Sequence, residues 1–445
     1  MTDVVDIRAG RLDNETLAEN FADVHQPYDK AGALVEANRC YFCFDAPCIA
    51  ACPTGIDIPG FIRSIATGNL RGAAMTILEE NILGGSCARV CPTEILCQGD
   101  CVRNGPGDRP VAIGLLQRHA TDYLDGAAAH LFDRAAETGK SVAVVGAGPA
   151  GLACAHGLAR QGHGVTMFEG RAKPGGLNEY GIAAYKVADD FAQAEVAFVA
   201  EVGGIEMRFG TTLGAEISLA QLRSEYDAVF LGLGQGAVRD VGLSGEDLDG
   251  VHNAVDYIAQ LRQAADLSAL AVGRRIVVIG GGNTAIDIAV QTKRLGADDV
   301  TLVYRRGPEQ MGATGHEQEF AQTNGVRIKH WLRPVRLQGE GDVRAAIFQT
   351  VELGADGTLA DTGGEQSLPC DMVFKAVGQT FVPITDDGPA LADGRIAVDE
   401  SGQTSLPDVW AGGDCVAGED LTVQAVQDGK IAARSIDGYL KNSGS

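Results

Sequence analysis

Eight of the eleven cysteines of this 445-residue chain lie in one segment. Their order is Cys40-x2-Cys43-x4-Cys48-x3-Cys52-Pro53, then Cys87-x3-Cys91-Pro92 and Cys97-x3-Cys101. Closely spaced thiolates are the usual ligands of iron–sulfur clusters, and a cysteine that precedes a proline commonly reaches a second cluster. The pattern therefore predicts two [4Fe–4S] clusters. Structural zinc, which also takes four cysteine ligands at each site, is the alternative.

A glycine-rich turn between a strand and a helix indicates a second kind of chemistry, the binding of a dinucleotide. The run Ser141 to Glu169 predicts a β-branched strand, a tight turn, an Ala- and Leu-rich helix and a second strand. Glycines in such a turn let a pyrophosphate approach the backbone, and the helix start holds it through free N–H groups. Glu169, which ends the second strand, is placed to accept from a ribose hydroxyl. The residues assigned to the turn are Gly146, Ala147, Gly148, Pro149, Ala150 and Gly151.

The same arrangement recurs after Arg275 and predicts a second dinucleotide site. No carboxylate ends its second strand, where Arg305 and Arg306 stand instead, and two guanidinium groups suit a 2′-phosphate. Two solvated arginines at a strand end are the alternative. The residues assigned to the glycine turn are Gly280, Gly282, Asn283 and Thr284.

Two further turns are candidates for contact with a flavin. One follows the first nucleotide unit, where flavin-binding sequences bring backbone close to the cofactor. The other, near the C-terminus, joins a strand to a helix, so that Asp414 could accept from a sugar-like hydroxyl and the helix start could face a phosphate. Lys186, which follows the first turn, could lie near a phosphate or the flavin, and a solvated side chain is the alternative. For the second turn the alternative is an ordinary turn with an aspartate cap. The residues concerned are Gly176, Leu177, Lys186, Gly413, Asp414 and Thr422.

These residues need helices and strands to position them. Apolar periodicity predicts helices at 14–22, 30–38, 59–66, 70–81 and 111–124, and later strands at 228–233, 300–304 and 372–377. The predicted fold is α/β with an N-terminal α-helical iron–sulfur domain and two Rossmann-like dinucleotide-binding domains. In it the nicotinamide domain is inserted in the FAD domain. The predicted boundaries are 1–135 for the helical domain, 136–248 with 371–445 for the FAD domain, and 249–370 for the NAD(P)H domain.

Composition excludes several other classes of protein. A net charge of −23 argues against a nucleic-acid partner, because phosphate contacts need clustered lysine and arginine. No run of eighteen apolar residues occurs, and the N-terminus lacks an apolar signal region, so we expect no membrane partner and a cytoplasmic location. The cysteine pattern sits beside nucleotide-binding units, which favours metal ligation over a disulfide framework.

The order of these units resembles a known group of proteins. A helical segment with two clusters, a flavin unit and an inserted nicotinamide unit occur in this order in the small subunit of glutamate synthase. They occur, with a closer resemblance, in the N-terminal half of dihydropyrimidine dehydrogenase. Bacteria carry the latter as a separate NAD-dependent subunit of a two-subunit enzyme. The resemblance covers nearly the whole chain.

The resemblance implies a ligand set for each cluster. Cys40, Cys43, Cys48 and Cys101 match the ligands of one cluster, and Cys52, Cys91, Cys97 and Gln117 match those of the other. A count of thiols alone would give Cys87 the place of Gln117. Glutamate synthase subunits tend to carry a glutamate at this position, so Gln117 favours the dihydropyrimidine dehydrogenase group. The comparison also places Gly146 to Ala150, Glu169, Lys186 and Gly413 to Thr422 at FAD, and Gly282 to Thr284, Arg305 and Arg306 at the nicotinamide dinucleotide.

The resemblance also implies an activity. The chain is expected to be an electron-input subunit that passes hydride from NADH to FAD, and single electrons through two [4Fe–4S] clusters to a partner. No catalytic side chain is expected, because the hydride passes between bound cofactors. The partner would be an FMN- and pyrimidine-binding subunit that reduces uracil or thymine within a hetero-oligomer, namely a heterotetramer. Gly312 stands where the NADP-dependent enzyme has an arginine, which favours NAD(H). Arg305 and Arg306 favour a 2′-phosphate, so NADP(H) remains the alternative.

Three rival functions compete with this hypothesis. The nearest is a glutamate synthase small subunit, which shares the cofactors and has a different partner. A flavin disulfide reductase is disfavoured because no C-x-x-C or C-x4-C pair lies in the nucleotide units. An iron–sulfur scaffold protein is disfavoured by the two intact nucleotide motifs.

Overall fold

The computed structural model describes residues 6–123, 130–384 and 387–442. The chain forms two compact units, each assembled from three stretches of sequence. The larger unit comprises His25–Glu179, Asp189–Gly236 and Phe381–Ser445. The smaller unit comprises Met1–Val24, Tyr180–Ala188 and Ala237–Thr380.

The larger unit begins with a group of short helices that carries the eight clustered cysteines. Asp29, Asp57 and Asn69 cap three of these helices, each by accepting from a backbone N–H of the first turn. Apolar side chains such as Phe61 and Ile77, both fully buried, form a core of their own. The helices span Lys30–Ala37, Pro47–Ala50, Ile58–Ala66, Leu70–Glu80, Gly84–Val90 and Ile113–Thr121, with a 3-10 turn at Thr93–Ile95.

A parallel five-stranded sheet follows in the same unit, and its inner strands Ser141–Val145 and Ala228–Leu231 are buried, as in a sheet covered on both faces. In spatial order its strands are Val409–Ala411, Ala228–Leu231, Ser141–Val145, Gly164–Glu169 and Ile205–Phe209. The helices of this region span Pro149–Arg160, Leu177–Tyr180, Phe191–Ala200, Leu219–Glu225 and Thr422–Asn442. A small antiparallel pair joins Leu391–Ala392 to Arg395–Ile396.

The smaller unit contains a second parallel sheet and a three-stranded antiparallel sheet. The parallel sheet has the order Val251–Asn253, Met372–Ala376, Arg275–Gly280, Asp299–Val303 and Val326–Lys329. The antiparallel sheet consists of Leu332–Glu340, Asp342–Leu353 and Leu359–Pro369, and a further pair joins Ala237–Val238 to Gln379–Thr380. The helices span Asn14–Asn20, Ala254–Gln263, Asn283–Arg294 and Gly315–Thr323, with 3-10 turns at Leu267–Ala269 and Pro308–Gln310.

The two Rossmann-like sheets confirm the predicted fold class, but the domain boundaries differ from the prediction. Strand Met372–Ala376, which the sequence assigns to the FAD domain, pairs with Arg275–Gly280 in the sheet of the smaller unit. The boundary placed at 370/371 is therefore wrong. A strand's own residues do not reveal which sheet it enters, because its partners lie far away in sequence.

Three other stretches also belong to the smaller unit against the prediction, and they are 1–24, 180–188 and 237–248. The predicted helix at 111–124 spans only Ile113–Thr121, and Leu124 lies outside the described residues. The other predicted helices and strands are present with ends that differ by one or two residues.

Throughout the described ranges, no helix combines the length and the apolar character that crossing a bilayer demands.

Candidate functional site

The first group of thiols comprises Cys40, Cys43, Cys48 and Cys101. Burial, together with the charges of the other three thiols, raises the pKa of Cys48 to about 12, so the four side chains lie in one region. The N–H of Phe42 donates to Sγ of Cys40 over 3.4 Å, a type of contact that tunes sulfur ligands in iron–sulfur proteins.

The loop that carries these thiols has an unusual backbone. Phe42, between Cys40 and Cys43, has a φ of +53°, which a bulky side chain seldom adopts. Its ring lies under the guanidinium of Arg63, with Cζ 4.9 Å from the ring centroid. This packing supports the left-handed turn that separates the first two cysteines of the group.

The second group of thiols comprises Cys52, Cys87, Cys91 and Cys97. A hydrogen bond with Cys87 and burial raise the pKa of Cys91, and the charges of Cys97 and Cys52 act in the same direction. Burial raises the pKa of Cys97 to about 12, and the charges of Cys52 and of Cys48, a member of the first group, act in the same direction. The four thiols of each group are thus neighbours of one another, and Cys48 and Cys97 connect the two groups.

Gln117 lies on helix Ile113–Thr121 and is buried. Its Nε2 donates to the carbonyl oxygen of Gly84 over 2.7 Å, which leaves Oε1 as the atom that a metal could use. Gly84 begins helix Gly84–Val90, which carries Cys87 and ends next to Cys91. Gln117 therefore contacts the helix that carries Cys87, and both residues remain candidates for the fourth ligand.

Two groups of four sulfur donors, each half-buried or buried, fit the chemistry of [4Fe–4S] clusters, which need thiolates held at several points of one cube. Thiols with raised pKa values are protonated at neutral pH without metal, and binding must displace those protons. In the described parts of the chain, no three cysteine, histidine or acidic side chains are close enough to hold a single metal ion.

The first glycine turn has the geometry of a phosphate cradle. Gly146 has a φ of +96°, and a Cβ on Gly151 would overlap the carbonyl oxygen of Gly146, so helix and strand pack closely there. Gly148 faces open space, since a Cβ there would meet only the Cα of Gly176 at 3.7 Å. Helix Pro149–Arg160 starts here without a side-chain cap, so its first N–H groups are available to an anion.

Three of the other residues assigned to FAD, namely Gly176, Gly413 and Thr422, are connected to this turn. Gly413, which follows strand Val409–Ala411, lies beside Ala150, since a Cβ on Gly413 would be 3.0 Å from that of Ala150. Thr422 begins the last helix, and its Oγ1 donates to Oδ1 of Asn178 over 3.1 Å. The helix start is thereby tied to the turn that contains Gly176 and Leu177, of which Leu177 is exposed.

The two acidic residues of this site differ in their environment. Glu169 accepts from the N–H of Ala147 over 2.9 Å and from that of Arg171 over 2.8 Å, so its carboxylate braces the glycine turn. Burial raises the pKa of Asp414 to about 6, and the charge of Asp420 acts in the same direction. A hydroxyl donor from a bound sugar would stabilise the ionised form of Asp414.

Asn178 and Asp428 also contact residues assigned to this site, and neither is predicted from the sequence. Asp428 accepts from the N–H of Gly413 over 2.9 Å, and Asn178 is the partner of Thr422. Asn178 directly follows the predicted Gly176-Leu177 turn, so its position in the sequence could have identified it as a site residue. Asp428 lies within a long helix, where nothing local distinguishes it from a solvated carboxylate.

The second glycine turn, in the smaller unit, has a similar geometry. A Cβ on Gly280 would overlap the carbonyl oxygen of Ala376, whereas nothing lies within 4 Å of a Cβ on Gly282. Helix Asn283–Arg294 starts from Gly282 without a side-chain cap. Gly312 lies beside this turn, with its hypothetical Cβ 3.7 Å from the Cα of Gly282. This site therefore has room for a pyrophosphate, and position 312 borders it.

Thr284 belongs to the first turn of that helix, and Arg305 and Arg306 follow strand Asp299–Val303. Arg305 is exposed and Arg306 is half-buried. Both arginines stand at the end of the second strand, where the ribose of a dinucleotide lies in folds of this kind.

Lys186 has partners that differ from those expected. It lies in the smaller unit, and its Nζ is 2.8 Å from Oδ1 of Asp287 and 2.7 Å from Oε1 of Glu317. Burial alone would lower the pKa of Lys186, but these two carboxylates outweigh burial and raise it. The geometry therefore gives Lys186 an ion-pairing role within the smaller unit.

Comparison with known proteins adds independent findings. Residues 140–429 match the family model described as pyridine nucleotide-disulphide oxidoreductase, and residues 17–128 match that described as dihydropyrimidine dehydrogenase domain II, 4Fe-4S cluster. The NAD-dependent dihydropyrimidine dehydrogenase subunit PreT of Escherichia coli K12 is 36% identical over 430 residues, which cover 96% of this chain and 98% of that protein. The NADPH glutamate synthase small chain of the same organism is 33% identical over 448 residues, covering 95% and 94%.

Solved structures share the nucleotide-binding fold. Mycobacterium tuberculosis FprA in complex with NADPH superposes with a TM-score of 0.57 at 22% identity, covering 68% of this chain and 85% of that one. The thioredoxin reductase of T. acidophilum gives a TM-score of 0.53 at 21% identity over 69% of this chain and 100% of that one. At this level of identity the likeness concerns the fold alone.

Proposed function

The chain belongs to the family that contains PreT and the glutamate synthase small chain, and on this premise we propose that it feeds electrons from NADH to a partner subunit that reduces uracil or thymine. As a member of that family it is an NAD(P)H-dependent FAD and iron–sulfur oxidoreductase of the electron-transfer subunit type. Its cofactors are FAD, 4Fe–4S and a nicotinamide dinucleotide.

One observation carries the proposal: two groups of four thiols and two phosphate-cradling turns occur in a single chain. When bound, the nicotinamide and the flavin supply hydride chemistry, and the clusters supply single-electron chemistry. The protein's own contribution is to position these groups, and no side chain is assigned as an acid or a base. The proposed holders of FAD are the Gly146–Gly151 turn, Glu169 and the converging Gly176 and Gly413 turns.

For the clusters we propose the ligand sets expected from the sequence. Cys40, Cys43, Cys48 and Cys101 would hold one cluster. Cys52, Cys91, Cys97 and Oε1 of Gln117 would hold the other. The hydrogen bond that Nε2 of Gln117 donates to Gly84 leaves Oε1 available as a ligand atom and supports this set, while the contact between Cys87 and Cys91 supports a fourth thiol instead.

We propose NADH as the electron donor. Gly312 borders the glycine turn and offers no charge to a phosphate, and four PreT proteins named as NAD-dependent are 36–37% identical to this chain. Arg305 and Arg306 favour NADPH, and the NADPH glutamate synthase small chains provide the corresponding relatives.

The partner is proposed to be an FMN- and pyrimidine-binding subunit, in a hetero-oligomer. The names "subunit" and "small chain" of the relatives support a larger assembly of this kind. The test is to purify the chain anaerobically and assay it alone and with its native partner. Alone, it should reduce artificial acceptors with NADH and leave uracil unchanged. Reduction of uracil by the lone chain would contradict the division of labour.

A second candidate is a glutamate synthase small subunit, which the 33–35% identical small chains support. The same purified complex distinguishes the two, because this candidate predicts NAD(P)H oxidation with 2-oxoglutarate plus glutamine. The pyrimidine proposal predicts oxidation with uracil or thymine only.

A further inference from the structure

Glu195 is a buried carboxyl group that the proposed function does not use. It lies on helix Phe191–Ala200 of the larger unit and is 8% exposed. Its Oε1 accepts from the N–H of Ser86 over 2.9 Å, and its Oε2 accepts from the Ser86 hydroxyl. Burial raises the pKa of Glu195 to about 7, although the two hydrogen bonds from Ser86 lower it. Burying a carboxyl group is unfavourable unless hydrogen bonds compensate it, so its position here indicates a structural or functional role.

The partner of Glu195 lies beside the second group of thiols. Ser86 precedes Cys87 in the first turn of helix Gly84–Val90, the helix that leads to Cys91. Gly84, at the start of the same turn, accepts from Gln117 over 2.7 Å. The turn before the candidate ligands is therefore held by Gln117 on one side and by Glu195 on another.

The approach of the two helices is close. A Cβ on Gly85 would be 2.5 Å from Cζ of Phe191 and 3.0 Å from Oε1 of Glu195, so only glycine fits there. The guanidinium of Arg89 stacks on the ring of Phe191, with Cζ 3.5 Å from the centroid. Helix Phe191–Ala200 thus contacts the cysteine-bearing helix at its first turn and again one turn later.

The same helix also holds the flavin side of the larger unit. Nε2 of Gln193 donates to the carbonyl oxygen of Pro174 over 2.8 Å and to Oε2 of Glu179 over 2.9 Å. These residues flank the turn whose Gly176 approaches Gly148 of the phosphate cradle. Gln193 and Glu195 are two residues apart, so their side chains leave the helix in different directions.

From this arrangement we propose that Glu195 is a positioning residue, which fixes the second group of thiols relative to the flavin site through helix Phe191–Ala200. The proposal rests on the proposed function, because it assumes that electrons pass from the flavin to that group. Electron transfer depends on a fixed separation of donor and acceptor, and a helix bonded to both sites provides one. The role needs hydrogen bonds to Ser86 and does not need the negative charge of Glu195.

The test compares Glu195→Ala with Glu195→Gln in the full chain loaded with FAD and iron. The Glu195→Gln side chain carries no charge, but its amide oxygen can still accept from the Ser86 N–H and its amide nitrogen can donate to the Ser86 hydroxyl. Glu201→Gln is the matched control, since Glu201 is an exposed carboxylate that ends the same helix. Stopped-flow mixing with NADH gives separate rates for bleaching of the flavin and of the clusters, and EPR of reduced protein reports each cluster.

We expect Glu195→Ala to slow cluster bleaching about tenfold and to change one of the two EPR signals, with flavin bleaching within about twofold of wild type. Glu195→Gln should restore both, and Glu201→Gln should match wild type. If the alanine variant does not fold, Ser86→Ala removes one donor only and should act in the same direction. Wild-type rates and spectra in both Glu195→Ala and Ser86→Ala would overturn the proposal, as would failure of Glu195→Gln to restore them.

Failure of the proposed function would look different. In that case the wild-type protein itself would hold no iron, or its clusters would stay oxidised while NADH bleached the flavin. A wild-type protein that passes both checks leaves the variants to decide on Glu195 alone.

Discussion

Gly429 of the last helix lies directly against the carbonyl oxygen of Ala150, and a Cβ at position 429 would overlap that oxygen. Ala150 is part of the phosphate-cradling turn, so the packing of helix Thr422–Asn442 is fixed at the cofactor site itself. We expect Gly429→Ala to push the two helices apart, to lower the free energy of unfolding by about 1–3 kcal/mol, and to weaken retention of FAD. Denaturant unfolding and the ratio of flavin to protein after gel filtration measure both effects.

The same helix offers a control for that substitution. Gly438 has nothing within 4 Å of a hypothetical Cβ. Gly438→Ala should therefore raise the free energy of unfolding by about 0.5–1 kcal/mol through helix propensity, with unchanged FAD content. Equal behaviour of the two variants would show that close packing at Gly429 is unimportant.

The fourth ligand of the second cluster can be identified by two substitutions. We expect Cys87→Ser to keep the iron of two clusters and Gln117→Leu to lose iron or alter one EPR signal, because the bond from Nε2 of Gln117 to Gly84 holds the amide and leaves Oε1 as the atom that a metal could use. Iron analysis and EPR of anaerobically purified protein are the measurements. Loss of one cluster in Cys87→Ser with a normal Gln117→Leu protein would assign the ligand to Cys87.

A positive charge at position 312 should change the preference of the protein between NADH and NADPH. Gly312 is exposed and borders the glycine turn of the smaller unit. An arginine there would offer charge-assisted hydrogen bonds, so Gly312→Arg should shift the ratio of kcat/KM values toward NADPH by about tenfold. Gly315→Arg, which adds the same charge at another exposed glycine nearby, should leave the ratio within about twofold.

The role of Lys186 can be separated from cofactor binding. Because Asp287 and Glu317 would lose their shared cation, Lys186→Met should lower the free energy of unfolding by about 3–5 kcal/mol. Lys441→Met breaks a pair in which the lysine is 61% exposed and should cost less than about 1 kcal/mol. Thermal unfolding of the two proteins is the comparison. If the Lys186→Met protein were stable but had lost FAD, Lys186 would be assigned to the flavin site.

Asp414 predicts a pH dependence of stability in flavin-free protein. Its pKa is raised to about 6, so between about pH 4 and pH 6 the native state binds more protons than the unfolded state. The free energy of unfolding therefore falls as pH rises through this window, by about 1–3 kcal/mol from this group. In Asp414→Asn this part of the fall should be absent, while the exposed Asp133→Asn should keep it. Chemical denaturation at pH 4, 5, 6 and 7 measures the difference.

The sequence is a good guide wherever a feature depends on neighbouring residues. The glycine turns at Gly146 and Gly280 are predictable because a strand, a tight turn and a helix must follow one another directly. The cysteine spacings are local in the same sense. The observed glycine turns agree with the expectations.

Features that depend on distant residues are not predictable in this way. No residue near Lys186 in the sequence indicates that Asp287 and Glu317 are its partners, because they lie more than a hundred positions further along the chain. Strand Met372–Ala376 is an apolar run that suits either sheet. It follows the antiparallel strands directly and pairs with Arg275–Gly280 in the second parallel sheet. The carboxyl of Glu195 resembles any polar position of a helix until Ser86 is seen beside it.

The discontinuity of the two units has a consequence for synthesis on the ribosome. The cysteine-bearing helices and the first glycine turn emerge early, but strand Val409–Ala411 and helix Thr422–Asn442, which complete their unit, are translated last. The smaller unit can close once residue 380 has left the exit tunnel, before the larger one is finished. A nascent chain would therefore hold its thiols in an incomplete unit until termination, and truncation at the C-terminus would damage the part of the molecule that was made first.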